Sequence, residues 1–114
     1  MYCALLPMNA YWDKDLICRY SSISYMDWFG VNPTEMIDKM NIKDLFGPAL
    51  WEQNKIYVEG VLKGEKQIFE RKLLTPSGDV RHTHATYFPH IINDEVVGFY
   101  VTVIDISSLY KKDI

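Results

Sequence analysis

The chain has 114 residues, 48% of them hydrophobic and 24% charged, with a formal net charge of −3. That length suits a single compact core, which commonly spans about 100–150 residues, and leaves no room for two catalytic domains. The acidic balance, without a basic stripe, argues against nucleic-acid binding and against direct contact with an anionic membrane. No apolar run approaches the ~20 residues that a membrane span needs, and Met1 to Ala4 lack the basic start of a signal peptide. Aromatic residues make up 14% of the chain, enough ring surface for a well-filled core or a ring-lined cavity. The two cysteines, Cys3 and Cys18, have no metal or redox spacing, so the domain is expected to be reduced and cytoplasmic.

Met8 to Trp12 reads as a first strand, Asp13-Lys14-Asp15 as a polar turn and Leu16 to Ser21 as a second strand. Ser21 and Ser22 offer a cap for a short helix, Ile23 to Phe29, with Ile23, Met26 and Phe29 on one face and Gly30 closing it. Asn32-Pro33-Thr34-Glu35 combines a capping Asn, a Pro at the first helical position and a Glu at the third, and opens a helix from Pro33 to Asp38. Asn41 to Phe46 is a third helical turn. Gly47 breaks it, and Pro48 starts a longer helix to about Leu62. The apolar stripe of that helix is Leu50, Trp51, Tyr57, Val58, Val61 and Leu62, with Asn54 set inside it. Three strands follow: Lys66 to Thr75, Val80 to Ile92 and Val96 to Ile106, joined by turns at Pro76-Ser77-Gly78-Asp79 and Asn93-Asp94. The tail from Ser107 turns polar and begins a helix that leaves the domain. Helices set between runs of strands predict an α+β domain, with helices on one face of a five-stranded antiparallel sheet.

The element order resembles a PAS domain, and so do the local residues. Tyr25-Met26-Asp27-Trp28-Phe29-Gly30 followed by Asn32-Pro33-Thr34-Glu35-Met36-Ile37 is similar to that family's aromatic-Gly and Glu-hydrophobic-Ile stretch. Phe69-Glu70-Arg71 ahead of the Gly78 turn resembles its third strand, and Gly98-Phe99 through Asp105-Ile106-Ser107 its closing strand. Ser22 stands where the family usually has Asn, and Ser107 where it has Thr. The resemblance runs from about Leu6 to Ser107 and divides the chain into a sensory domain, 1–107, and the start of a C-terminal linker helix, 108–114. It implies a sensory and dimerisation module of a signal-transduction protein, itself not an enzyme. The expected host is a sensor histidine kinase. The alternatives are a diguanylate cyclase or phosphodiesterase, a transcription regulator, or a module that binds partners without a ligand.

The resemblance also frames the chemistry. Haem-binding relatives present a His from the long helix, and Leu50 to Leu62 has none. Flavin-photosensing relatives carry a Cys just before that helix, and Met40 to Phe46 has none. Neither cofactor is expected. His82 and His84 share a strand face, with Lys72 and Glu70 opposite them; this is either a polar cross-strand patch or, less favoured, a metal site. If the sheet registers as in the flavin-binding relatives, odd-numbered positions of the last three strands face the helices, Leu73, Ala85 and Val103 among them, with Ala10 and Trp12 from the first strand. The pocket candidates are then Trp12, Trp51, Asn54, Phe69, Arg71, Arg81, Thr83, Tyr87, Phe99 and Val101. Two inward arginines either send their heads to solvent along packed stems or recognise an acidic ligand. Asn54 bonds either the loop at Asn41 to Phe46 or a ligand. Tyr100, Ile104 and Ile106 make the outer face apolar as well, which predicts a homodimer through that face or the termini. Asp105, Ile106 and Ser107 are the expected relay to an output domain on the same chain.

Overall fold

The computed structural model describes residues 5–110; Cys3 and the linker residues 111–114 lie outside them. The element order is β1 (Met8–Asp13), β2 (Cys18–Ser21), α1 (Tyr25–Phe29), α2 (Pro33–Met36), α3 (Ile42–Leu62), β3 (Gln67–Leu74), β4 (Val80–Ile92), β5 (Glu95–Asp105) and α4 (Ser107–Tyr110). The strands form one antiparallel sheet in the order β2-β1-β5-β4-β3. β1 therefore enters the sheet beside the last strand, and β2 and β3 are its edges. Among the described residues, no helix is long and apolar enough to cross a membrane.

The polar turn after β1 consumes more chain than the alternation suggests. Asp13 Oδ1 accepts from the backbone N–H groups of Asp15 and Ile17, and Leu16 takes a positive φ of 69° to close the turn. The second strand therefore starts at Cys18 instead of Leu16. Cys18 is fully buried, and burial pushes its thiol pKa up. Arg19 bridges Asp13 and Asp38 at 2.8 Å each and ties β2 to the end of β1 and to the turn after α2.

The first helix corrects three expectations. It begins at Tyr25, and its buried residues are Tyr25 and Trp28, while Ile23 and Met26 are exposed. Five residues are too few for apolar spacing to define a face; specific anchors decide. Trp28 Nε1 donates to Leu6 O at 2.9 Å and Ser24 Oγ to Pro7 O at 2.6 Å. Ser22 is not the helix cap: its Oγ accepts from the Asn9 backbone N–H, which clips β1 to the start of the helical segment. Gly30 closes α1 at φ 72°, as its position predicts. The Asn32 cap also forms: its side chain accepts from Thr34 N–H, with Pro33 first in α2.

Asn41 caps α3 by accepting from Lys43 N–H. Gly47, at φ 75° and ψ 169°, interrupts the helix before Pro48. An L side chain rarely adopts that φ, and Pro48 has no N–H to give back to the first segment. The kink lets the longer segment turn and lie across the sheet. Val58 and Val61 of that segment are buried, together with Asn54.

Along β3, β4 and β5 the odd-numbered positions face the helices. Phe69, Leu73, Thr83, Ala85, Tyr87, Phe99, Val101 and Val103 are buried, joined by Met8, Ala10 and Trp12 from β1. Ile106 departs from the expected outer face. It follows the last residue of β5 and is buried, with its N–H donated to His82 O at 2.8 Å.

Candidate functional site

A polar cluster interrupts the apolar layer between α3 and the sheet. Asn54 is 2% exposed. Its Nδ2 donates to Leu50 O one turn back at 2.8 Å, which aims Oδ1 at the sheet. There it accepts from Arg71 Nη1 at 2.7 Å. Asn54 thus bonds its own helix and an arginine, not the Asn41 to Phe46 loop. The Arg71 guanidinium lies 5.4 Å from the Phe46 ring centre and 5.5 Å from that of Phe69, a distance at which ring faces attract a cation. Its Nε is buried and makes no hydrogen bond to the protein. Among the described residues no carboxylate pairs with it.

The surrounding rings fix this geometry. Tyr57 stacks on Phe69 at 3.7 Å between ring centres, and Phe69 meets Tyr87 edge-on at 5.2 Å. Burial pushes the phenols of Tyr25 and Tyr87 well above their usual range, and the nearby Arg71 charge partly offsets it. Thr83 Oγ1 donates to the Arg71 carbonyl at 2.8 Å and pins that stretch of β3 to β4. A cleft of about 470 Å³ opens between α3 and β3, lined by Gln53, Asn54, Tyr57, Phe69, Glu70, Arg71 and Lys72.

Asn54, Phe69, Arg71, Thr83 and Tyr87 thus come together, and the other five candidates lie elsewhere. Arg81 sits toward the chain exit, with Nη1 3.7 Å from Asp105 Oδ2, because a buried guanidinium is drawn to the carboxylate within reach. Trp51 lies beyond the kink, half-buried, with the Lys43 ammonium 5.1 Å from its ring centre, and lines a separate depression with Lys43, Asp44, Gly47 and Pro48. Trp12 and Phe99 are at most 1% exposed and Val101 is 5% exposed; all three pack in the core. Tyr25, Phe46 and Tyr57 complete the cluster without having been singled out. Tyr57 was visible in the helical stripe, whereas Phe46 reaches the site only through the bend at Gly47.

A second constellation lies where the chain leaves the sheet. Asp105 Oδ2 accepts from Leu5 N–H at 3.0 Å and Oδ1 from Ser107 N–H at 2.9 Å. Ser107 Oγ accepts from His82 N–H at 2.9 Å. One carboxylate therefore holds the segment before β1, the start of α4 and Arg81 of β4. Burial alone would raise its pKa, but the Ser107 hydroxyl, the Leu5 and Ser107 amides and the Arg81 charge outweigh it and hold it low.

The opposite sheet face is open. Its register places Glu70 across from His84 and Lys72 across from His82, as the hairpin predicts. Among the described residues, no group of three or more His, Cys, Asp or Glu side chains is arranged to hold a metal. On the same face Tyr20, Tyr11, Tyr100 and Phe88 pair in one row across four strands. Tyr20, Tyr100 and Phe88 are exposed.

A family model for the PAS fold matches residues 6–111. The chain belongs to the PAS family. It is therefore a regulatory sensory domain of signal transduction and not itself a catalyst. Solved structures share the fold. The N-terminal domain of a diguanylate cyclase with a PAS/PAC sensor from Marinobacter aquaeolei gives a TM-score of 0.74 at 12% identity, over 93% of this chain and 100% of that one. A domain of a putative light and redox sensing histidine kinase from Haloarcula marismortui gives 0.72 at 18% identity, over 90% of each chain. VqmA of Vibrio cholera, solved with a ligand and DNA, gives 0.72 at 14% identity, over 90% of this chain and 47% of that one. At these identities the likeness is one of fold. No curated protein matches the chain.

Proposed function

We propose that this PAS domain is the cytoplasmic input module of a sensor histidine kinase, working as a homodimer, with a small molecule held beneath α3 as its signal. The observation that carries the ligand part is the Asn54–Arg71 pair, a polar intrusion in an apolar layer and facing a cleft. A few convergent polar groups among rings are what orient a small molecule. Phe69, Tyr87 and Thr83 belong to the walls of this site; Trp12, Phe99 and Val101 support it from the core. The choice of a histidine kinase leans on the Haloarcula relative. The Marinobacter and Vibrio relatives support the alternative hosts, a diguanylate cyclase or phosphodiesterase and a transcription regulator.

Asp105, Ile106 and Ser107 form the relay in this reading. A ligand that shifts β3 and β4 also moves Arg81 and His82, which hold Asp105 and Ser107. The carboxylate then favours one of two exit angles for α4, a bias of about 1–3 kcal/mol. The experiment is Asp105→Ala in the full-length protein. Output becomes locked or insensitive to stimulus while the isolated domain stays folded. Unchanged regulated output would reduce the junction to a linker.

A second reading is a ligand-free interaction module. Trp12, Trp28, Tyr87 and Phe99, each at most 1% exposed, favour it by filling the core, and the exposed rings of the open sheet face supply a contact surface. Native mass spectrometry of the purified domain separates the two: a co-purified small molecule supports the sensor, and a bare chain supports the interaction module.

A further inference from the structure

We propose that the Nε edge of the Arg71 guanidinium anchors the carboxylate of a small organic acid with a flat apolar body, received through the cleft between α3 and β3. This rests on the reading that the interior takes a small molecule, and it names that molecule's chemistry.

The inference follows from what Arg71 has and lacks. Its Nη1 is engaged by Asn54 and the guanidinium also donates to the Tyr87 hydroxyl, two neutral groups that orient it without cancelling its charge. Phe46 and Phe69 flank it, and ring faces moderate a buried cation but do not satisfy its N–H groups. Nε remains a buried donor with no acceptor in the protein, which is costly unless something supplies one. The other inward arginine, Arg81, has Asp105 beside it. Arg71 is thus a packed cation without a counter-charge, next to a cleft of about 470 Å³.

A carboxylate answers both deficits, since it supplies the acceptor and the charge. A cation would meet Arg71 head-on, and a neutral amide would leave the charge uncancelled. Lys72 and Glu70 border the cleft but alternate to the other face of β3, across from His82 and His84. Arg71 is thus the cation that this stretch of β3 turns inward, and a single cation suits a monoanion better than a dianion. Tyr57 and Phe69 supply the flat walls for the rest of the molecule.

The test uses the 114-residue chain labelled with nitrogen-15. The probes are acetate, phenylacetate and indole-3-acetate, with phenylacetamide as the neutral isostere and inorganic phosphate as a plain anion. The reporter is the Arg71 Nε–H resonance, assigned by its loss in Arg71→Lys. At least one carboxylate should move that resonance saturably below about 10 mM, with phenylacetamide and phosphate about tenfold weaker or worse. Arg71→Gln should weaken the carboxylate by a similar factor while the circular dichroism of the fold is kept. The proposal is overturned if no carboxylate moves the resonance, or if phosphate matches the carboxylates. If phenylacetamide binds as tightly as phenylacetate, the carboxylate assignment falls and the interior ligand stands. If no probe binds and nothing co-purifies with the chain, both fall.

Discussion

Arg71 and Asp105 carry opposite kinds of burden. Arg71 is a packed charge whose nearest partner is the Asn54 amide. Replacing such a pair with apolar residues of similar size often stabilises a fold, by about 1–4 kcal/mol. The double variant Asn54→Leu, Arg71→Met should therefore unfold at higher urea than the parent. A large loss of stability would show that the pair is structural and needed no ligand. Asp105 is the reverse case: its contacts with Ser107, Leu5 and Arg81 all favour its charged form against burial. A carboxylate held low contributes stability that is whole above the ordinary carboxylate range, about pH 4. That contribution is lost as pH falls through the lowered native value. Asp13, opposed by burial but held low by the Ile17 and Asp15 amides and Arg19, acts in the same direction. Asp105→Ala should lower stability at neutral pH by about 1–3 kcal/mol and flatten the acid limb of the stability profile, measured by urea titration at stepped pH.

At the scale of elements, β5 is the spine of the sheet, since it pairs with both β1 and β4. Its contact with β1 depends on Gly98, across from Asp13. A Cβ there would stand 2.6 Å from the Trp12 carbonyl oxygen, closer than real side chains come, and would also meet the Tyr11 hydroxyl. Neither neighbour is free to yield, because Tyr11 OH is hydrogen-bonded to His90 Nδ1 at 2.6 Å and Trp12 is buried. Gly98→Ala should destabilise by about 1–3 kcal/mol, read from the thermal midpoint, whereas Gly78→Ala meets nothing within 4 Å and is strained only by its φ of 95°. The same scale shows why α3 needs Gly47. Without the bend, Phe46 and Asn54 would continue one straight helix, and the ring would not flank the guanidinium that the amide holds.

The whole molecule presents two unlike sheet faces. One is covered by helices, while the other carries Tyr20, Tyr100, Phe88, Ile68 and Ile104 in the open, each at least 40% exposed. A face with that much exposed ring and aliphatic surface commonly marks an interaction site. If the domain works as a homodimer through this face, the paired change Phe88→Glu, Tyr100→Glu should shift sedimentation toward monomer without altering the fold. Equal self-association of parent and variant would move the dimer contact to the termini.

Most of the architecture was legible in the sequence because it rests on local physics. Alternation sorted β3, β4 and β5 into two faces, the family resemblance implied which of them the helices cover, and the hairpin turn at Gly78 set Glu70 opposite His84. The Asn32-Pro33 and Gly30 signals marked real helix ends, since caps and positive-φ glycines act over a few residues. Asn54 was conspicuous because a polar side chain broke an apolar stripe. What only the tertiary structure decided were the partners. Arg71 and Arg81 look alike along the strands, yet one meets an amide and two rings and the other a carboxylate from β5. Ile23 and Met26 have the spacing of a buried face, yet Tyr25 and Trp28 are buried, because Trp28 reaches back to Leu6. Leu5 and Asp105 lie a hundred residues apart, and no local rule brings them together. Side-chain chemistry and short-range geometry are written along the chain; which distant group meets a buried polar atom depends on how the elements finally pack.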